Sequence, residues 1–400
     1  MIDHRIKKMP TITWIADNDL SESLHAATWL ETTKTLRDAG WKVNLLSHGY
    51  TEGETLVRDV AVRFFTKPEV FFIQQVLYHA KIFRWVLNSE DEGHVLLFHE
   101  ISGIWMRVFK WFVKLFSRKR FIFVMDTRTL PMEPEETLTF RAKLRRAYLG
   151  WVDRKGHRWF DGRMAITPAM AEALEIPEEK LWAVWPSGVK PEIFSSCSQK
   201  RKYPQENEII KLIYIGCMHV ERNLMAMSKA IVKANQKKKR FQLVLVGDGN
   251  DFEALEEYAK AHVEDILIHG PVPQKDIPQW LADAHVGILP FPDEQKFQVS
   301  SPIKLFEYMA AGMPIMATRI RCHTDVINEN AGYIFWINGS DEAAILAALK
   351  DLAQSRSSLS HMGARSLENI QHWSWQASAQ KIDKGLRKHL GLNEEIDHGE

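Results

Sequence analysis

Short apolar runs alternate with helix-forming stretches along this chain, and that alternation restricts the fold more than any single motif. Residues 11–16, 41–47, 60–65, 94–98 and 120–125 read as strands, with helices over 24–38, 70–87 and 104–116. Strands separated by helices predict a parallel sheet with helices packed on it. In such sheets ligands collect beyond the carboxyl ends of the strands, which puts residues 17–23, 99–103 and 126–129 on one rim. The pattern restarts after a polar stretch at 195–206. Strands then fall at 209–216, 243–246, 266–269, 286–290 and 314–318, with helices at 276–282, 304–310, 341–354, 359–370 and 376–390. A chain of 400 residues holds two ordinary cores. The crossover is expected near 185–193, with 195–206 as a linker and 393–400 as a disordered tail.

Composition narrows the function classes. An apolar fraction of 45% and a charged fraction of 26% are those of a soluble globular protein. A net charge of +1 gives no general pull toward nucleic acid, and no nucleic-acid motif is present. Cys197, Cys217 and Cys322 lack metal-ligand spacing and fit a reducing compartment. Residues 1–17 hold no long apolar export core, and no stretch reaches the roughly 18 apolar residues of a membrane span. A cytoplasmic location is expected. One region departs from the even charge balance: residues 101–158 hold 14 Lys or Arg against 5 Asp or Glu. Trp105, Phe109, Trp111, Phe112 and Phe116 are interleaved with these cations, and a second basic segment, 141–158, carries Tyr148 and Trp151. Surface helices with their aromatics packed on the sheet explain this, and so does a face over residues 104–158 lying on anionic lipid at the inner face of the cell membrane.

Residues 300–318, SSPIKLFEYMAAGMPIMAT, hold the densest chemistry. Ser300 and Ser301 are N-cap types and Pro302 suits the first helical position. The helix that follows stops at Gly312 and Pro314. A helix N-terminus after a strand and a loop offers N–H groups and a positive dipole end to a phosphate. Lys304 adds a formal charge there, and Glu307, nearly one turn on, can accept hydrogen bonds from sugar hydroxyls. A capped core helix with a surface lysine and glutamate fits the same spacing.

The string PIKLFEYMAAGMPIMAT resembles the nucleotide-sugar segment of the family 4 glycosyltransferases, enzymes of the two-domain GT-B fold. Four further stretches match in order: WPSGVKPEIF, KLIYIG with ERNL, LVLVGDGNDFEAL, and IHGPVPQKDIPQWLADAHVGILPFP. The match is dense over residues 160–340 and faint before them. The resemblance implies an α/β protein of two Rossmann-like, doubly wound parallel-sheet domains facing across a cleft. Residues 1–187 would form the acceptor domain, with helix 376–390 packing back on it, and residues 188–375 the donor domain. On the donor side it implies that the Gly216 loop and Arg222 meet the diphosphate. Gly247 and Gly270 would flank the nucleoside and Val272 would lie along the base. Ser300, Ser301 and Lys304 would hold the phosphates or the hexose, and Glu307 the ribose hydroxyls. Asp126, Arg128 and Lys304 are the implied catalytic residues, with Asp17, Asn18, His99 and Glu100 as acceptor-side candidates. The sequence departs from the family pattern at Cys217, Val299 and Thr129, and Asp17-Asn18 replaces a glycine-rich loop.

The activity implied is transfer of a hexose or N-acetylhexosamine, with retention of anomeric configuration. The donor is a nucleotide diphosphate sugar and the acceptor a glycan or lipid-linked glycan, as in cell-surface polysaccharide synthesis. No metal or resident cofactor is implied. A sugar-nucleotide epimerase and a degenerate binding subunit of the same fold remain alternatives.

Overall fold

The computed structural model describes residues 9–16, 18–21, 26–66, 71–130 and 139–392. The expectations for Asp17 and for the tail 393–400 lie outside them. The chain divides into two units, residues 1–187 with 375–400, and residues 188–374.

In the first unit the strands are β1 (Thr11–Ile15), β2 (Val43–Gly49), β3 (Gly53–Val57), β4 (Val60–Thr66), β5 (Gly93–His99), β6 (Arg120–Thr127), β7 (Gly162–Ala165) and β8 (Leu181–Val184). They form one sheet in the order β3-β4-β2-β1-β5-β6-β7-β8. Every pairing is parallel except β3 with β4. The period-2 alternation of the strands fills both faces. Val95 and Leu97 of β5 join one core with Trp29, Leu30 and Leu36 of α1 (Ala27–Asp38). Leu96 and Phe98 join the other with residues of α2 (Phe71–Asn88), α3 (Gly103–Phe116) and α4 (Phe140–Trp159). Burial on both sides is why these strands read as continuous apolar runs.

The C-terminal helix Trp375–Leu390 completes the first core through Ile382, Leu386 and Leu390. Its Asp383 accepts the indole N–H of Trp41 at 2.6 Å, and Arg387 donates to the Ala39 carbonyl at 2.8 Å. Strand β3, which pairs with β4 as a hairpin, is invisible in the sequence pattern. Glu54, Thr55 and Leu56 of β3 are exposed, so no buried stripe marks it. Its turn places Arg58 and Asp59 at positive φ without an Asn-Gly signal.

The second unit holds β9 (Ile210–Cys217), β10 (Phe241–Asp248), β11 (Ile266–His269), β12 (Val286–Leu289), β13 (Ile315–Thr318) and β14 (Ile334–Ile337), all parallel, in the order β11-β10-β9-β12-β13-β14. The short edge strand β14 also went unread in the sequence. Helix α5 (Ile303–Ala310) connects β12 to β13.

The linker expected at 195–206 is corrected. Cys197–Lys200 is a helical turn, and Arg201 behind it is buried. Its guanidinium donates to the carbonyls of Leu281 (2.7 Å), Ala284 (2.7 Å), Ala311 (2.8 Å) and Gly312 (2.8 Å). One cation thus closes four orphan carbonyls, two of them where α5 ends. The polar composition suggested solvent, whereas the polarity serves a buried site. Arg201→Met should lower unfolding free energy by about 3 kcal/mol in a denaturant titration, because the carbonyls lose their donor. A loss within experimental error would contradict this strap.

Candidate functional site

The second sheet changes winding direction between β9 and β12. From β9 the chain steps outward to β10 and β11, then returns to β12 on the other flank. A sheet wound both ways leaves a crevice there, beyond the carboxyl ends of its strands. Gly216 and Cys217 end β9, and the chain beyond β12 runs into α5, which carries Lys304 and Glu307.

Tyr308 fixes the seat of α5. Its ring lies on Gly287 of β12, where a Cβ would come within 2.4 Å of two ring carbons. Its hydroxyl accepts the N–H of Ile215 on β9 at 3.3 Å. Burial holds that hydroxyl well above the usual phenol range. Lys304 stands one turn earlier on the same helix face, so the clamp delivers its side chain to the tip of β9. There a Cβ on Gly216 would lie 3.1 Å from Lys304 Cε. Gly216 has φ +147°, a conformation that side chains rarely adopt, and the bare backbone leaves room for the lysine stem. Lys304 Nζ lies 3.1 Å from Glu307 Oε2, the lysine side chain 28% exposed and the glutamate 9%. The two residues singled out in sequence are brought together.

The expected cap is corrected. Pro302 occupies the N-cap position of α5 and no side chain caps the helix. Ser300 Oγ instead donates to the Phe297 carbonyl at 2.8 Å and hydrogen-bonds the Cys322 thiol. Ser301 is half-buried just before the helix. Pro302 has no side-chain acceptor for the first-turn amides, and a helix N-terminus carries the positive end of the helix dipole.

Arg222 ends the turn Val220–Arg222 after β9. Its guanidinium sits 4.7 Å from the ring centroid of Phe291 and 5.2 Å from that of Phe297. Those rings stack on each other at 5.1 Å, and His323 backs Phe291 at 5.6 Å. Burial pushes Tyr214 and Cys322 each up to about 12, and the positive charge of Arg222 opposes both shifts. Tyr214 donates its hydroxyl to the Cys217 carbonyl at 2.9 Å. Arg222 thus stands near both the β9 tip and the Ser300 segment. Phe291, Phe297 and Tyr308 escaped the sequence reading because each is an ordinary core residue by composition. Only the spacing of Tyr308 from Lys304 hinted at its role.

Gly247 pairs with Gly216 in the ladder, and a Cβ on it would strike the Gly216 carbonyl at 1.9 Å. Its glycine therefore serves the meeting of the two strand tips. Gly270 is open, and half-buried Val272 follows it at the end of β11, two strands and roughly 10 Å from β9. A separate groove lined by residues 204–208, 238–240, 353–354 and 356–357 lies at the amino ends of the strands, away from these groups.

In the first unit, β5 and β6 bring His99 opposite Asp126. Asp126 and Arg128 are both buried and both attached to Trp185. The indole N–H donates to Asp126 Oδ1 at 2.9 Å, and the Arg128 guanidinium stacks 3.6 Å over the ring while donating to the Trp185 carbonyl at 3.2 Å. Burial raises the Asp126 carboxyl against the pull of Arg128. It also lowers Arg128 to about 10, which leaves the guanidinium charged at neutral pH. His99 Nδ1 lies 3.0 Å from Glu100 Oε2, at ion-pair distance but without hydrogen-bond alignment. Asn18 is half-buried and its carbonyl accepts Ser47 Oγ at 2.7 Å.

Sequence reasoning missed Asp153 and Arg163, which lie beneath this rim. Arg163 donates to Asp153 Oδ1 (3.1 Å) and Thr127 Oγ1 (3.0 Å). Burial, then the nearby Glu100, pushes Asp153 up to about 6. No group of three His, Cys, Asp or Glu among the described residues is placed to hold a metal ion.

Two parallel-sheet α/β units with these windings are the GT-B fold of glycosyltransferases. Residues 210–355 match a family model described as "Glycosyl transferases group 1". The sucrose-phosphate synthase of Thermosynechococcus elongatus is structurally similar, with TM-score 0.73 and 13% identity over 96% of this chain and 100% of that one. Anabaena HepE, solved in complex with UDP-glucose, gives TM-score 0.68 and 14% identity over 95% and 100%. Among curated sequences, the putative teichuronic acid biosynthesis glycosyltransferase TuaH of Bacillus subtilis is 24% identical over 207 residues, 51% of this chain. The chain spans about half the length of that relative.

Gly287→Ala tests the seat of Lys304. Its methyl must displace the Tyr308 ring, so stability should fall by about 1–3 kcal/mol. Nucleotide affinity should fall with it, read by calorimetry below the melting transition. Unchanged affinity would show that α5 is not held by this contact.

Proposed function

We propose that the chain is a retaining glycosyltransferase that moves a hexose or N-acetylhexosamine from a nucleotide diphosphate sugar to a glycan or lipid-linked acceptor in cell-surface polysaccharide synthesis. One observation carries the reading: Lys304 lies on Gly216 at the switch point of the second sheet, with Glu307 beside it, inside the segment matched to group 1 glycosyltransferases. HepE with its UDP-glucose and the teichuronic acid relative support the donor class and the kind of product.

Breaking a sugar–phosphate bond leaves negative charge on the departing diphosphate and positive character on the anomeric carbon. Stabilising the departing oxygens is the main electrostatic task. Lys304, Arg222 on its phenylalanine shelf and the N-terminal end of α5 meet that charge, so the reading needs no metal. On binding, Lys304 exchanges Glu307 for a phosphate oxygen, and the freed carboxylate accepts the ribose hydroxyls. With retention, a phosphate oxygen of the donor takes the proton of the acceptor hydroxyl, and no covalent nucleophile is required. On the acceptor side, Arg128 supplies a fixed positive charge at the tip of β6. Asp126 positions it through Trp185, and His99 with Glu100 offers polar contacts to sugar hydroxyls. The work is placed in the cytoplasm, at the inner face of the membrane.

A calorimetric screen of UDP, GDP and ADP tests the donor site. One of them should bind, and Lys304→Ala and Glu307→Ala should each weaken it at least tenfold, about 1.4 kcal/mol. With donor and acceptor present, release of the nucleoside diphosphate supports transfer. Conversion of the sugar nucleotide without that release would make the protein an epimerase. Binding without turnover across donors and acceptors would make it a binding subunit.

A further inference from the structure

Helix α3 is apolar on two sides. Met106, Phe109 and Val113 fill the core, yet Val108, Trp111, Phe112, Leu115 and Phe116 stand outward, with Trp111 63% and Phe116 69% exposed. A water-facing helix surface is ordinarily polar, and a contiguous apolar patch marks a contact. The cations around it are exposed too: Arg107 and Lys114 on the helix, Arg118 and Arg120 just beyond. No acid lies on α3.

Helix α4 repeats the arrangement. Val152, Asp153 and Gly156 face inward, and Phe140, Leu144 and Trp151 face outward. Lys143, Arg154 and Arg158 are exposed along that outer side, and the one acid of the helix, Asp153, is buried against Arg163. The two outer faces are continuous. The Arg107 guanidinium lies 4.3 Å over Trp159, whose ring meets Trp151 at 4.8 Å. Of the other acids near these helices, Asp126 is buried and Asp161 pairs with Lys110 of α3 at 2.6 Å, while Glu133, Glu135 and Glu136 lie outside the described residues.

We propose that this face of the first unit docks the protein on an anionic lipid bilayer. Trp111, Phe112, Leu115 and Phe116 enter the boundary between headgroups and acyl chains, and the flanking Lys and Arg meet lipid phosphates. Charge decides the occupant. A second copy would set cations against cations, and nucleic acid would leave Val108, Leu115 and Leu144 without a partner. No described helix is long and apolar enough to cross a membrane, so the contact is with the surface. The docking face stands on its own exposure and charge and does not depend on the nucleotide-sugar reading.

The full-length protein, sedimented with vesicles, tests this. It should bind vesicles containing phosphatidylglycerol, bind phosphatidylcholine vesicles far less, and release at about 0.5 M salt. The double substitutions Trp111→Ser with Phe116→Ser, and Lys114→Glu with Arg118→Glu, should each reduce partitioning about tenfold or more. Their melting temperature and nucleotide affinity should stay unchanged, so a failure here leaves the donor site untouched. Absence of binding to anionic vesicles, or wild-type binding by both variants, would overturn the proposal. So would a dimer in solution that the Trp111→Ser, Phe116→Ser variant converts to monomer, since the face would then join two copies.

Discussion

A single ring on a single glycine sets the geometry at the switch point of the second sheet. Tyr308 can press on β12 only because Gly287 has no side chain, and its hydroxyl reaches across to the Ile215 N–H of β9. Two strands that flank the winding reversal are thereby tied to one helix. The lysine one turn back is then delivered to the bare backbone of Gly216. A flexible four-carbon stem would otherwise explore much of the crevice mouth, at a cost in entropy on binding. Glu307 and the bare backbone at Gly216 hold that stem, so less order must be created when a ligand arrives. Fixing a charge before the ligand comes is what electrostatic stabilisation of a leaving group requires.

The first unit places its charges differently. Asp126, Arg128, Asp153 and Arg163 are buried and tied to one another through Trp185 and Thr127. Buried charges are costly unless every one has a partner, so such a cluster holds the tips of β6 and β7 in one arrangement. The two units thus offer two kinds of site. The second presents partly accessible cations around the tip of β9. The first holds a rigid charged rim.

Much of this was legible in the sequence. The alternation of apolar runs with helices marked both parallel sheets, because strands buried on two faces carry continuous apolar runs. The segment carrying Lys304 and Glu307 stood out because helix-start chemistry and paired charges coincide there. The rest escaped for identifiable reasons. β3 is exposed on its edge and shows no stripe. Residues 195–206 are polar, and no local pattern reports that Arg201 reaches carbonyls some 80 to 111 positions away. Ser300 and Ser301 precede a helix as caps do, but Pro302 takes that position and Ser300 turns back to Phe297. The outward aromatics of α3 were readable as composition, whereas which of them point to water required the helix phase relative to the sheet.

Cys217 allows the central claim to be tested directly. It is the exposed thiol of the three, Cys197 and Cys322 being buried, and it directly follows Gly216, against which the Lys304 stem lies. Its alkylation rate, followed by mass spectrometry of the intact protein, should fall roughly tenfold when the nucleoside diphosphate is present at ten times its dissociation constant. In Lys304→Ala the same nucleotide concentration should give little protection. An unchanged rate at a concentration where calorimetry shows the wild-type site filled would place the diphosphate elsewhere and contradict the account.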